Sequence, residues 1–295
     1  MDIPRKKLLN GFELPVYGFG LWLIGGKRDA DYSRDEEEIA TLRKAIEMGV
    51  THFDTAEGYA DGHSEELLGQ AIKGCNRTKL FIATKVSGEH QGYNGVKKSL
   101  TDSLVRLQTA YVDLYILHSY PDQGISIAET MKAMDELMDQ GLIRNIGVSN
   151  MTARRFDEAQ KYTKHKIVCN QVHYNTQYRE AEVSGVLDFC QDSDVMLVAW
   201  RPLQKGRLPQ SELIDQLTVK YQKTPSQIVL NWLISQDNVV TIAKTSSIAH
   251  LKENLGATGW TMDSADIELI RTEFPRQQLV SDAYPLDYVA DLPAY

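Results

Sequence analysis

From about residue 14 to about residue 257 the chain alternates between apolar runs of strand length and amphipathic helical stretches. The runs are PVYGFGLW (15–22), THFDT (51–55), LFIATK (80–85), VDLYILH (112–118), IRNIGVS (143–149), IVCNQV (167–172), VMLVAW (195–200) and VVTIAK (239–244), eight in all. The intervening helices carry apolar residues every three or four positions: Val96, Leu100, Leu104 and Leu107 in one, Ile127, Met131, Met134 and Met138 in another. Such alternation implies parallel strands joined by right-handed crossovers, and eight units imply closure into a (β/α)8 barrel of the α/β class. An open doubly wound sheet is the competing architecture. Against it, GFGLWLIG (18–25) places Leu23 where the dinucleotide fingerprint requires its third glycine, and no GxxxxGK[ST] segment occurs.

At 295 residues the chain suits one barrel domain over 1–295, since such barrels commonly exceed about 250 residues. Ahead of the first run, Asn10-Gly11 between apolar residues predicts a two-residue type I′ hairpin closing the barrel floor. Beyond the eighth unit, 262–274 reads as an extra helix, and the tail with Tyr284, Tyr288 and Tyr295 is expected across the mouth. The charged stretch 25–37 is expected to be a rim loop.

Hydrophobic residues at 42% and charged residues at 24% exclude a disordered chain, and a net charge of −8 argues against a nucleic-acid surface. Cys75, Cys169 and Cys190 are odd in number and far apart, so neither a disulfide framework nor a metal site is expected; a reducing cytoplasm fits. No stretch approaches the length of a membrane span, and the N-terminus lacks the apolar core of a secretion signal.

Catalytic groups of a parallel barrel come from the C-terminal ends of its strands. Asp54 ends the second run, Tyr59 lies five residues on, Lys85 ends the third and His118 the fourth, so all four can face one cavity. A tyrosine supported by a cation suits protonation of a carbonyl oxygen: the phenol, with an ordinary pKa near ~10, needs a neighbour that stabilises phenolate. Lys85 is the expected tuner of Tyr59, Asp54 its counter-ion, and His118 the group that orients the substrate oxygen. Each residue also has a purely structural reading, as a strand-end polar group, a snorkelling lysine or a helix cap.

With these residues set out, the chain resembles the aldo-keto reductase superfamily. The likeness runs through GVTHFDTAEGYADGHSEELLGQAI (49–72), KKSLTDSLVRLQTAYVDLYILHSYP (97–121), GLIRNIGVSN (141–150) and KTSSIAHLKENLGA (244–257). It implies a (β/α)8 barrel using NADPH without a Rossmann domain, and an NAD(P)H-dependent reduction of aldehydes or ketones in which Tyr59 is the general acid/base beside Asp54, Lys85 and His118. The resemblance assigns Ser149, Asn150 and Gln171 to the nicotinamide carboxamide and Trp200 to the nicotinamide ring. Arg201, Pro202, Leu203, Gln204, Lys205 and Gly206 fall to the pyrophosphate, Lys244, Thr245 and Ser246 to the adenosine 2′-phosphate, and Glu253 and Asn254 to the adenine. Gly20, Leu21 and Asp54 count with the cofactor contacts, and Trp22, Tyr59 and His118 with the substrate pocket.

Two positions depart from the family pattern. His250 stands where many members have arginine, which implies a weaker preference for NADPH over NADH. Leu21 stands at a position often polar in relatives. The small carbonyl substrate itself is not readable. Two other functions stay open: a cofactor-binding regulatory role resembling the beta subunits of potassium channels, and a barrel aldolase with Lys85 as Schiff base.

Overall fold

The structure is a computed structural model describing residues 2–122, 124–208, 210–274 and 277–287. A short antiparallel pair, β1 (Arg5–Lys7) and β2 (Glu13–Pro15), precedes a closed parallel barrel. Its strands are β3 (Tyr17–Gly20), β4 (His52–Asp54), β5 (Phe81–Val86), β6 (Leu114–Leu117), β7 (Ile146–Ser149), β8 (Ile167–His173), β9 (Met196–Trp200) and β10 (Val239–Ala243). They neighbour one another in sequence order, and β10 closes the ring against β3 through Thr241–Tyr17, Ile242–Gly18 and Ala243–Phe19. Each expected run thus coincides with one barrel strand, β5 and β8 each running one residue past it.

The outer ring follows from the connections. Helices α1 (Asp35–Glu47), α2 (His63–Ala71), α3 (Tyr93–Leu107), α4 (Ile127–Asp139) and α5 (Ala153–Lys161) each follow one strand. The β8–β9 connection holds α6 (Glu180–Val183) and α7 (Val186–Asp192), and the β9–β10 connection holds α8 (Glu212–Tyr221) and α9 (Pro225–Ile234). Helix α10 (Ile248–Leu255) completes the ring, and α11 (Ser264–Glu273) lies beyond it, within the extra helix expected there. The α9 start is written in sequence: Thr224 and Gln227 form a capping box and Pro225 opens the helix. Helix α4 buries Ile127, Met131 and Met134 against the barrel, as its apolar stripe requires.

Strand periodicity decides what the barrel holds inside. Phe81 and Ala83, Leu114 and Ile116, Met196 and Val198, and Val240 and Ile242 alternate along their strands and form an inner apolar cluster. Leu8, Phe12 and Leu14 of the N-terminal hairpin join the same cluster and plug the floor. One step further along each strand the same parity delivers Lys85, His118, Trp200 and Lys244. The inner column therefore runs from an apolar floor to a polar mouth.

Several boundaries differ from expectation. The hairpin turn is not a two-residue type I′ turn: Leu8 N–H bonds Phe12 O at 2.9 Å and Gly11 N–H bonds Leu8 O at 3.0 Å. Gly11 takes φ +90°, whereas Asn10 stays out of the left-handed region and accepts from Phe12 N–H through its side chain. The rim loop expected over 25–37 ends earlier, because Asp35 opens α1 and its four acidic residues fill the first turn, where the helix dipole favours them. Of the tail tyrosines, Tyr284 is described, and Tyr288 and Tyr295 lie outside the described residues.

Candidate active site

At the barrel mouth Lys85 is fully buried and its ammonium reaches three oxygens. Nζ lies 2.5 Å from Asp54 Oδ1, 2.8 Å from the Thr55 carbonyl and 3.3 Å from Tyr59 Oη. The second Asp54 oxygen accepts from Gln171 Nε2 at 2.8 Å, so this buried carboxylate is bonded on both sides. Burial pulls the Lys85 pKa down, but Asp54 and Tyr59 outweigh it and the net direction is up. An ammonium held in this way is a cation and donor rather than an amine nucleophile, which argues against Lys85 as a Schiff base.

Tyr59 lies between Trp22, with ring centroids 5.2 Å apart, and His118, at 5.6 Å, both edge to face. The expected lowering of its pKa by Lys85 is outweighed. Burial raises the phenol more than the nearby ammonium lowers it, and Asp54 adds to the rise. Tyr59 is accordingly a neutral phenol, poised as a proton donor. Enclosure and the Lys85 charge push His118 down to about 3, so its imidazole is neutral at physiological pH.

A second group of polar residues adjoins this quartet. Ser149 Oγ donates to the Gln171 carbonyl at 2.7 Å, and Asn150 Nδ2 reaches Ser149 Oγ at 3.0 Å. Trp200 Nε1 donates to Asn150 Oδ1 at 3.1 Å. Asn150 adopts φ +56°, a conformation asparagine tolerates better than most residues. Ser149, Asn150, Gln171 and Trp200, which the resemblance grouped, are thus joined by hydrogen bonds, and Gln171 links them to Asp54.

The remaining positions fall along the rim. A Cβ at Gly20 would make only ordinary contact with Lys244, whose backbone N would lie 3.8 Å from it. Leu21 is buried in the core, so only its main chain, with N–H bonded to Asp54 O at 2.8 Å, borders the mouth. In the 201–206 segment Arg201, Gln204 and Lys205 all take positive φ, and the N–H groups of Gln204 and Gly206 already bond Arg201 and Leu203 carbonyls. Pro202 has no N–H to offer. The Arg201 guanidinium lies 3.2 Å from Asp282.

Lys244 and Ser246 are exposed, whereas Thr245 is buried and accepts from Ser247 N–H at 3.0 Å ahead of α10. Although the residue as a whole is exposed, desolvation of its ammonium by neighbouring atoms lowers the Lys244 pKa; Glu38 opposes that and Arg34 adds to it. His250 is exposed on the first turn of α10. Glu253 accepts from Thr224 Oγ1 at 2.7 Å, and Asn254 is buried with its amide 3.4 Å from Tyr17 Oη. Glu253 is half-exposed, whereas the Asn254 side chain does not stand open on the surface.

One mouth residue escaped the sequence reading. His173 ends β8, two positions beyond Gln171 and on the same inner parity, and its ring stacks on Trp200 with centroids 4.3 Å apart. The expected strand stopped at Val172, one residue short, which hid it. Among the described residues no cluster of three or more His, Cys, Asp or Glu side chains could hold a metal ion, and no helix is long and apolar enough to cross a membrane.

A closed parallel barrel with a bonded polar cluster at the C-terminal ends of its strands defines a (β/α)8 protein of the enzyme-like kind. More narrowly, the chain belongs to the aldo/keto reductase family, whose model matches residues 17–272. It is 34% identical over 268 residues to a methylglyoxal reductase of Escherichia coli K12, covering 89% of this chain and 92% of that protein. A thermostable aldo-keto reductase solved with the inhibitor epalrestat superposes with a TM-score of 0.88 at 44% identity, covering 91% of this chain and 98% of that one. An aldo-keto reductase from Klebsiella pneumoniae solved with NADPH gives a TM-score of 0.83 at 32% identity, covering 98% of this chain and all of that one.

Proposed function

We propose that this chain is an NADPH-dependent reductase of small aldehydes or ketones, 2-oxoaldehydes of the methylglyoxal type among them, working as one barrel unit in the cytoplasm. The observation that carries the reading is the single ammonium of Lys85 held between Asp54 and the hydroxyl of a neutral Tyr59 at the barrel mouth. The relatives named above, one a methylglyoxal reductase and one solved with NADPH, support the same chemistry.

The donor set fits a nicotinamide cofactor. Amide and hydroxyl groups of Ser149, Asn150 and Gln171 match a carboxamide, Trp200 offers a flat aromatic face, and Lys244 beside the α10 start suits a phosphate. When bound, NADPH supplies the hydride for the carbonyl carbon. Neutral His118 donates a hydrogen bond to the carbonyl oxygen and turns it toward Tyr59. Tyr59 gives its hydroxyl proton to that oxygen as negative charge develops there, and Lys85 stabilises the phenolate left behind. Asp54 keeps Lys85 protonated and in place, and Gln171 ties that carboxylate to the cofactor side of the mouth. Trp22 walls the substrate side opposite His118.

The test is NADPH oxidation across aldehydes, ketones and sugars, repeated with NADH. Turnover of a 2-oxoaldehyde, faster with NADPH, is expected. Tight NADPH binding with no turnover on any carbonyl would overturn the enzymatic reading in favour of a regulatory one.

A further inference from the structure

We propose that His173 is a positioning residue for the cofactor-facing indole of Trp200, fixing it from behind and linking it to the tail segment 277–287. The inference rests on the assignment of Trp200 to the nicotinamide ring made above.

The geometry is that of a three-ring stack. Tyr178 lies against one face of His173 with centroids 4.5 Å apart and planes 21° from parallel, and Trp200 against the other at 4.3 Å and 12°. One indole face is therefore covered, and the Trp200 Nε1 bond to Asn150 fixes rotation within the plane. A ring so held can present only its other face to a flat ligand, with its orientation settled before the ligand arrives.

Hydrogen bonds at both ring nitrogens set His173 itself. Nε2 faces the amide nitrogens of Asn175 at 3.3 Å and Gln204 at 3.5 Å, both donors, so Nε2 accepts and Nδ1 carries the hydrogen. Nδ1 then donates to Ser281 Oγ at 2.7 Å. Burial, with Arg201 nearby, pushes His173 down to about 3, which keeps the stacked ring neutral.

These partners belong to the segments that frame the mouth. Gln204 lies in the loop after β9, and Asn175 also bonds the Arg201 carbonyl at 3.0 Å. Ser281 belongs to the tail, whose N–H is held by Glu180 at 2.8 Å and whose Asp287 caps Thr152 at 2.8 Å. Asp287 N–H in turn bonds the Asn150 carbonyl at 2.7 Å. One imidazole thus connects the indole, the loop assigned to the pyrophosphate and the tail.

The experiment measures NADPH dissociation constants by fluorescence titration, with steady-state kcat and carbonyl KM, for His173→Ala, His173→Phe, Trp200→Ala and His173→Ala/Trp200→Ala. Ser281→Ala keeps the ring and removes its tail bond, together with the bonds that Ser281 Oγ accepts from Ala283 and Tyr284 N–H within the tail, so it carries the test even if His173→Ala fails to fold. We expect His173→Ala to weaken NADPH about tenfold with carbonyl KM within about twofold, and His173→Phe to recover to within about threefold because the stack survives. Ser281→Ala should weaken NADPH about threefold, the effect of one neutral hydrogen bond. With Trp200 already removed, His173→Ala should change binding by less than about twofold. An unchanged dissociation constant in both His173→Ala and Ser281→Ala, a His173→Phe variant no better than His173→Ala, or full additivity with a damaging Trp200→Ala would overturn the role of His173. If Trp200→Ala alone leaves NADPH binding unchanged, the assignment of Trp200 falls first and the proposal with it.

Discussion

Replacing Lys85 by Met removes the cation and keeps most of the side-chain volume, so the effect reports the charge and not a cavity. Asp54, 1% exposed, would be left with the Gln171 amide as its one side-chain donor, and the Thr55 carbonyl would lose its Lys85 bond. Breaking a buried pair from one side costs about 3–5 kcal/mol, because the remaining charge has neither water nor a counter-ion. The lost bond to Thr55 adds about 1 kcal/mol. Urea unfolding at neutral pH should therefore show Lys85→Met less stable by about 4–6 kcal/mol with an unchanged m-value. Asp54→Asn/Lys85→Met removes both charges and should recover at least about 2 kcal/mol relative to the sum of the single variants. A Lys85→Met variant within about 1 kcal/mol of the parent, or strictly additive single effects, would refute the claim that the two charges depend on each other.

Acid should destabilise the fold through its neutral imidazoles. His52, His118 and His173 are depressed to about 4, 3 and 3, so below the usual histidine value of 6.5 the unfolded chain binds protons that the folded one does not. Stability is retained above pH 6.5 and falls as pH drops from there toward about 4, by up to about 1.4 kcal/mol per unit for each group; His63, shifted upward between Asp35 and Glu66, opposes this more weakly. Neither ring nitrogen of buried His52 has a partner, so His52→Leu should be at least as stable as the parent at pH 7 and lose less on acidification, read from urea midpoints at pH 7 and pH 5. At the start of α10, His250→Arg supplies a permanent forked cation and should raise the NADPH-over-NADH ratio of kcat/KM by about tenfold, with an unchanged ratio arguing that the 2′-phosphate is held elsewhere.

The barrel was legible because its signal is global. Each strand run is bounded by helical periodicity, and no single boundary error disturbs the eightfold pattern. The quartet was legible for a related reason: Asp54, Lys85 and His118 close successive apolar runs, so topology alone gathers them. Less could be read where tertiary contacts decide. The sign of the Tyr59 shift depends on how deeply the phenol is enclosed, which spacing does not reveal. Asn10-Gly11 carries a hairpin signal, but the Leu8–Phe12 pairing selects a longer turn in which only Gly11 is left-handed. Asn254 has the right chemistry for an adenine contact, yet burial beside Tyr17 turns it inward. His173 differs again: its parity matches Gln171, and a strand extended by one residue would have shown it facing the mouth.

Proton donation by Tyr59 is the centre of the account, and Tyr59→Phe tests it most directly because it removes one oxygen and leaves the ring between Trp22 and His118. Single-turnover reduction of a 2-oxoaldehyde by bound NADPH should slow by about 10²–10⁴-fold, while the NADPH dissociation constant stays within about threefold. A reduction rate within tenfold of the parent (about 1.4 kcal/mol) would show that the proton comes from another group.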